Sequence, residues 1–171
     1  MKTRTGFVSN SSSTSFLVGF EKVPETAEEL EKLLYGESGI VEGYRNSYTT
    51  KALASYVFDD MIRQTPLTLG QLGQAVLEEF EDRGIVSEGS DVSNYLIDNP
   101  NDPFNNVDWV AFGAARAKYI KNLVQECLGS SNYSTLIWYN FTFCDELGGV
   151  ESVLEHSETF ERLPHLAMNR H

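Results

Sequence analysis

Apolar residues recur along this chain at two spacings, and the places where one gives way to the other mark its elements. Ser15-Phe16-Leu17-Val18-Gly19-Phe20 is an almost unbroken apolar run after a polar tract, and predicts a strand near 15–21. Thr26-Ala27-Glu28-Glu29 has the form of a capping box, and Leu30, Leu33 and Leu34 continue it on one helical face to about Tyr35. Gly36 ends that helix. Ile40 and Val41 make a loop or a very short strand between Gly39 and Gly43. Thr49 or Thr50 can cap a second helix with Leu53, Tyr56, Val57 and Met61 or Ile62 inward. Thr68-Leu69-Gly70-Gln71 is a second capping box, and Leu69, Leu72, Val76, Leu77 and Phe80 follow it at helical spacing, with Gly84 placed to stop the helix.

The stretch 87–106 breaks the pattern, because two X-Pro steps among clustered Asn and Asp at 98–103 predict a loop. Asp108 then caps a long helix with Trp109, Phe112, Arg116, Tyr119, Ile120, Leu123, Val124 and Cys127 on one side, ending at Gly129. Near 134–144 the spacing changes to two. Ile137, Tyr139, Phe141 and Phe143 take one face and Leu136 and Trp138 the other, which predicts a central strand covered on both sides. A short helix around Val150–His156 and a final strand near 165–170 complete the chain. Strands that bracket the helices predict an α+β fold: a small, mainly antiparallel sheet packed with four to five helices. Residues 1–15 read as a Ser-rich arm, and 16–171 as a single domain interrupted by the 87–106 loop.

Composition narrows the function. A chain of 171 residues with 41% hydrophobic residues can bury a core without disulfide or metal. The formal charge is −12, which argues against a general nucleic-acid binder. That charge is uneven: residues 1–20 hold Lys2 and Arg4 and no acid, whereas residues 21–100 hold 16 acids against 6 bases. No run reaches the length of a membrane span, and the polar Ser9–Ser15 tract follows Lys2 and Arg4 where an export signal would be apolar. Cys127 and Cys144 sit in no zinc or CxxC spacing and read as reduced thiols. The expected location is a bacterial host cytoplasm or a virion, with no membrane and no direct nucleic-acid contact.

Candidate chemistry gathers at the C-terminal end. His156, His165 and His171 lie close to Asp145 and Glu155 in sequence. Imidazole and carboxylate are the commonest ligands of zinc, iron and manganese, so His156, His165, His171 and Glu155 are the candidate metal ligands. The same histidines with Asp145 could act as acid and base, and could activate Cys144 at the end of the long strand. Their spacing matches no fixed motif, and surface or structural histidines are the competing reading. No cofactor is expected; a divalent metal is the one these residues would accept. Gly6 to Ser15 lacks the lysine and the strand-before-helix order of a phosphate loop.

The opening Arg4-Thr5-Gly6-Phe7-Val8-Ser9-Asn10-Ser11-Ser12-Ser13-Thr14-Ser15-Phe16 resembles the start of uncharacterised proteins of tailed bacteriophages and prophages. In those, R-x-G-F-V-S-N-S-S-S-x-S-F follows Met directly. Glu155-His156, Phe160, Leu163-Pro164-His165 and His171 are similar to a closing pattern of some of the same proteins. The resemblance covers only the two ends of the chain and implies origin rather than activity. If both ends recur together, the first strand should meet the last segment. Phe7, Val8, Asn10 and Phe16 are then the candidate interaction residues. The expected role is a minor virion or assembly component bound to a phage or host protein or to its own copies. The alternative is a small phage-encoded metal-dependent enzyme, or a host-takeover or anti-defence factor, that uses the C-terminal histidines.

Overall fold

A computed structural model describes residues 13–43, 46–82, 95–97, 106–128, 132–144 and 149–170. The fold is α+β, with five helices and two small antiparallel sheets among these residues. Contacts divide the chain into two compact units, Met1–Pro66 with Leu136–His171, and Leu67–Thr135.

The first unit is built on β1 (Ser13–Phe20), β4 (Ile137–Cys144) and β5 (His165–Arg170), in the order β4-β1-β5. The first and last strands therefore do meet: Phe16 stands opposite Phe141 on one side and Ala167 on the other. The strand expected at the centre is corrected, since β4 is an edge and β1 is central. The reason lies in the side chains. One face of β4 carries Asn140 and Thr142, and Thr142 is exposed, whereas every residue of β1 after Ser13 is buried. An unbroken apolar run marks a doubly covered strand better than length does. Gly19 serves a close approach in this sheet, because a Cβ there would lie 3.0 Å from the Trp138 ring.

One face of the sheet forms the core. Phe16, Val18 and Phe20 of β1 and Tyr139, Phe141 and Phe143 of β4 meet Phe160 and three helices. Those helices are α1 (Ala27–Tyr35), α2 (Thr50–Met61) and α5 (Val150–His156). Phe141, Phe143 and Phe160 stack nearly parallel, with centroids 5.6 to 6.5 Å apart. Leu30 and Leu34 of α1 and Leu53, Val57 and Met61 of α2 face this stack, while Tyr56 and Ile62 do not. Each large side chain buried here is worth about 1.5–3 kcal/mol relative to exposure.

Helix ends follow the sequence closely. Thr26 Oγ1 accepts the Glu29 amide at 3.2 Å, but Glu29 reaches back to the Glu25 amide rather than to Thr26. Thr49 caps α2 through the Ala52 amide. Ahead of it, β2 (Ile40–Glu42) and β3 (Ser47–Thr49) pair as a hairpin, of which β3 was not expected. The buried Glu31 carboxylate accepts Thr50 Oγ1 at 2.6 Å, and that hydroxyl accepts the Gly39 amide, which ties α1 to the start of α2.

The second unit contains α3 (Leu69–Asp82) and α4 (Trp109–Leu128). Both halves of the second capping box form: Gln71 N–H donates to Thr68 Oγ1, and Gln71 Oε1 accepts the Thr68 amide. Gly73 allows α4 to approach, since a Cβ there would lie 2.4 Å from Ile120 Cγ2. Leu72, Val76 and Leu77 of α3 and Leu123 and Val124 of α4 are buried. No helix among the described residues is long and apolar enough to cross a membrane.

Candidate functional site

Two of the candidate residues of the C-terminal end, Glu155 and His156, lie on α5. Gly149 opens this helix with a φ of +66°, a conformation that favours glycine. Val153 and Leu154 then turn into the core, and Glu151 and Glu155, four residues apart, share an adjoining face. Glu151 accepts a very short hydrogen bond from the Tyr56 hydroxyl of α2, and a second at 3.2 Å from the Cys144 amide of β4. Glu155 accepts the Thr14 hydroxyl of β1 at 3.1 Å. Two carboxylates thus fasten one short helix to α2, β1 and β4.

Tyr56 shows the strongest electrostatic effect. Its bond to Glu151 favours the protonated phenol and, with desolvation second, pushes its pKa up to about 12. At neutral pH this side chain is a hydrogen-bond donor, not a base or a nucleophile. It lines a cleft of about 190 Å³ with Asp59, Asp60, Arg63, Thr142 and Phe143.

Of the candidate catalytic and metal residues that the structure describes, Glu155 and His156 adjoin, while His165 and Cys144 make their hydrogen bonds elsewhere. The Glu155 side chain is 1% exposed and its Oε2 accepts no hydrogen bond, with His156 Nε2 3.9 Å away on a largely exposed ring. His165, on β5, bonds through Nδ1 to Leu163 O at 3.0 Å and lies 4.0 Å from Glu161. Cys144 uses its amide, not its thiol, in the bond to Glu151. Among the described residues, no three or more His, Cys, Asp or Glu side chains are arranged to hold a metal ion. Asp145 and His171 lie outside the described residues, as do Phe7, Val8 and Asn10 of the N-terminal arm. Phe16 packs in its own core, 5.1 Å from Phe160 between ring centroids.

A site the sequence did not indicate lies at the start of α4. Residues 95–97 run beside 106–108: Leu96 bridges to Val107, Ile97 N–H donates to Asn106 O at 2.7 Å, and Asp108 N–H to Tyr95 O at 2.9 Å. Asp108 caps α4 by accepting the Val110 and Ala111 amides. Phe112 meets Tyr95 and Trp109 edge-on at 5.5 and 6.0 Å. Around this framework Leu96 is 55% exposed, Ile97 46%, Trp109 57% and Val110 84%. Trp109 and Phe112 carried a sequence signal, but as members of an inward face. No protein-family model, curated protein or solved structure is found to match the chain.

Proposed function

We propose that this protein acts by binding another protein, as a minor component of a phage-type particle or of its assembly. The exposed apolar surface of Leu96, Ile97, Trp109 and Val110 is the observation that carries the reading. Isolated exposed apolar residues need no explanation, but four large ones on two segments joined by the Leu96–Val107 bridge offer what an interaction site needs. The bridge at Leu96 and the edge-on rings fix the patch before a partner arrives, which lowers the entropy lost on binding. A tryptophan within such a surface is a typical centre of binding energy. The phage origin rests on the Arg4–Phe16 string.

The test is incorporation. Particles purified from a producing host should contain the wild-type chain, and Val110→Asp should reduce its content about tenfold or more while the free protein stays folded. Incorporation unchanged by Val110→Asp and by Trp109→Ser would overturn the reading.

A further inference from the structure

In the first unit, β1 ends at Phe20 and the chain turns through 21–24 towards α1. The Arg162–Pro164 turn runs alongside into β5, joined to β1 by a Gly19 N–H to Pro164 O bond of 2.8 Å. These segments and α1 enclose a groove of about 550 Å³. Its apolar wall is Val23, Pro24, Leu33, Leu163 and Pro164, and Leu33 is an exposed leucine of α1. The volume is that of a site for a few side chains or a small molecule.

The charged groups around the groove differ in how far they are committed. Lys22 pairs with Glu25 at 3.0 Å, so its charge is met within the rim, while Glu29 accepts the Glu25 amide and adds an acid to the lining. Lys32 and Arg162 stand at the last turn of α1, and neither forms an ion pair with a carboxylate among the described residues. Arg162 Nη1 reaches only the Tyr35 carbonyl, at 3.4 Å, and its guanidinium lies over Gly36. Two uncommitted cations beside an apolar wall are unusual on a chain with a formal charge of −12. Glu21, on the same rim, would turn an anion away from its own end of the groove.

We propose that this groove binds a peptide segment of a partner protein, with an apolar side chain against Leu33 and Leu163 and a carboxylate at Lys32 and Arg162. The placement of Lys32 and Arg162 together by the last turn of α1 favours a carboxylate there over a cation. The proposal is independent of the Leu96–Val110 surface, so either can fail while the other stands.

The probe is a random dodecapeptide library selected against the full-length protein. Enriched peptides should share an apolar residue next to Asp or Glu. Fluorescence anisotropy of the leading peptide should show about tenfold weaker binding when its acids become amides, and again with Lys32→Gln protein. Binding should also weaken as salt rises. Lys32 is exposed, so its replacement leaves the fold intact; Arg162→Gln is the second variant, paired with a melting curve because Arg162 also covers the end of α1. Val110→Asp should leave peptide affinity unchanged. No enrichment, enrichment only of peptides without acids whose affinity survives Val110→Asp, or affinity indifferent to Lys32→Gln would overturn the proposal. Octanoate that binds through Lys32 while no peptide is enriched would reassign the groove to small carboxylates and overturn it as well.

Discussion

In the unit built on the sheet, Phe141, Phe143 and Phe160 close into one buried stack, and the acids beside it are used as fasteners. In the unit of α3 and α4, Leu72, Val76, Leu77, Leu123 and Val124 are buried while Leu69, Leu96, Ile97, Trp109 and Val110 stand in solvent. Both units contain helices with good caps, so local helix signals do not separate them. What separates them is how the exposed apolar residues are distributed: Leu33, Ile40 and Ile62 of the first unit are scattered along the chain, whereas Leu96, Ile97, Trp109 and Val110 of the second lie on two bridged segments. A side chain that is buried within its unit supports folding; one fixed in place but exposed supports contact with something else. The two regions should therefore respond to substitution in opposite ways, and the following changes test that from the largest effect down.

Phe141 is fully buried and stacked on both Phe143 and Phe160. Phe141→Ala should lower the unfolding free energy by about 3–5 kcal/mol, read from urea titration of the full chain. A loss under about 2 kcal/mol would mean that the site collapses around the gap, and that the stack is not the centre of the unit. Gly73→Ala comes next. Alanine improves helix propensity by about 1 kcal/mol, but a Cβ 2.4 Å from Ile120 Cγ2 forces α3 and α4 apart at about 1–3 kcal/mol. Net destabilisation is expected. The loss should be less than additive with Ile120→Ala, which removes the clashing methyl. A stabilised Gly73→Ala would show that the helix pair has room to spare.

Tyr56→Phe removes one fastener of α5. Tyr56 is 37% exposed, so the loss after allowance for solvent is about 0.5–1 kcal/mol at neutral pH. The sign with pH follows from the raised pKa. The folded protein keeps the phenolic proton up to about 12, whereas an unfolded tyrosine releases it near its ordinary value of 10. Stability from this bond is complete below pH 10 and is lost as pH rises from 10 towards 12. Wild type should lose stability more steeply than Tyr56→Phe across that window. Parallel pH curves would show that Tyr56 and Glu151 are not coupled.

How much of this was legible in the sequence depends on the range of the interaction. The caps at Thr26, Thr68 and Asp108 are local, and the helices began where those residues placed them. The pairing of the first strand with the last was also foreseen, but the central strand was not. Length and alternation single out β4, but the unbroken apolar run of β1 reports burial on two faces more directly. β3, at three residues, is too short to leave a periodic signal. At the candidate site, His156 and His165 are near in sequence, yet α5 and β5 give them separate partners. Tyr56 and Glu151 are 95 positions apart, and the groove joins 19–33 to 162–164. No spacing rule spans such distances; only the packing of helices on the sheet brings them together.

Val110 should show the smallest change in stability and the clearest separation of the two units. It is 84% exposed, so an aspartate there gives up little buried area. In the first turn of α4 the added acid is favoured by the helix dipole and disfavoured by the nearby Asp108 carboxylate, and the two effects oppose. The unfolding free energy should move by less than about 0.5 kcal/mol in either direction. The same charge stands beside Trp109 in the proposed binding surface, where a partner would have to strip its water without supplying a counter-charge. Binding should then be lost with the fold intact, the reverse of Phe141→Ala, which removes the fold first. If Val110→Asp instead costs more than about 1 kcal/mol of stability, Val110 is packed within its own unit, and the surface is an extension of the α3–α4 core rather than a place for a partner.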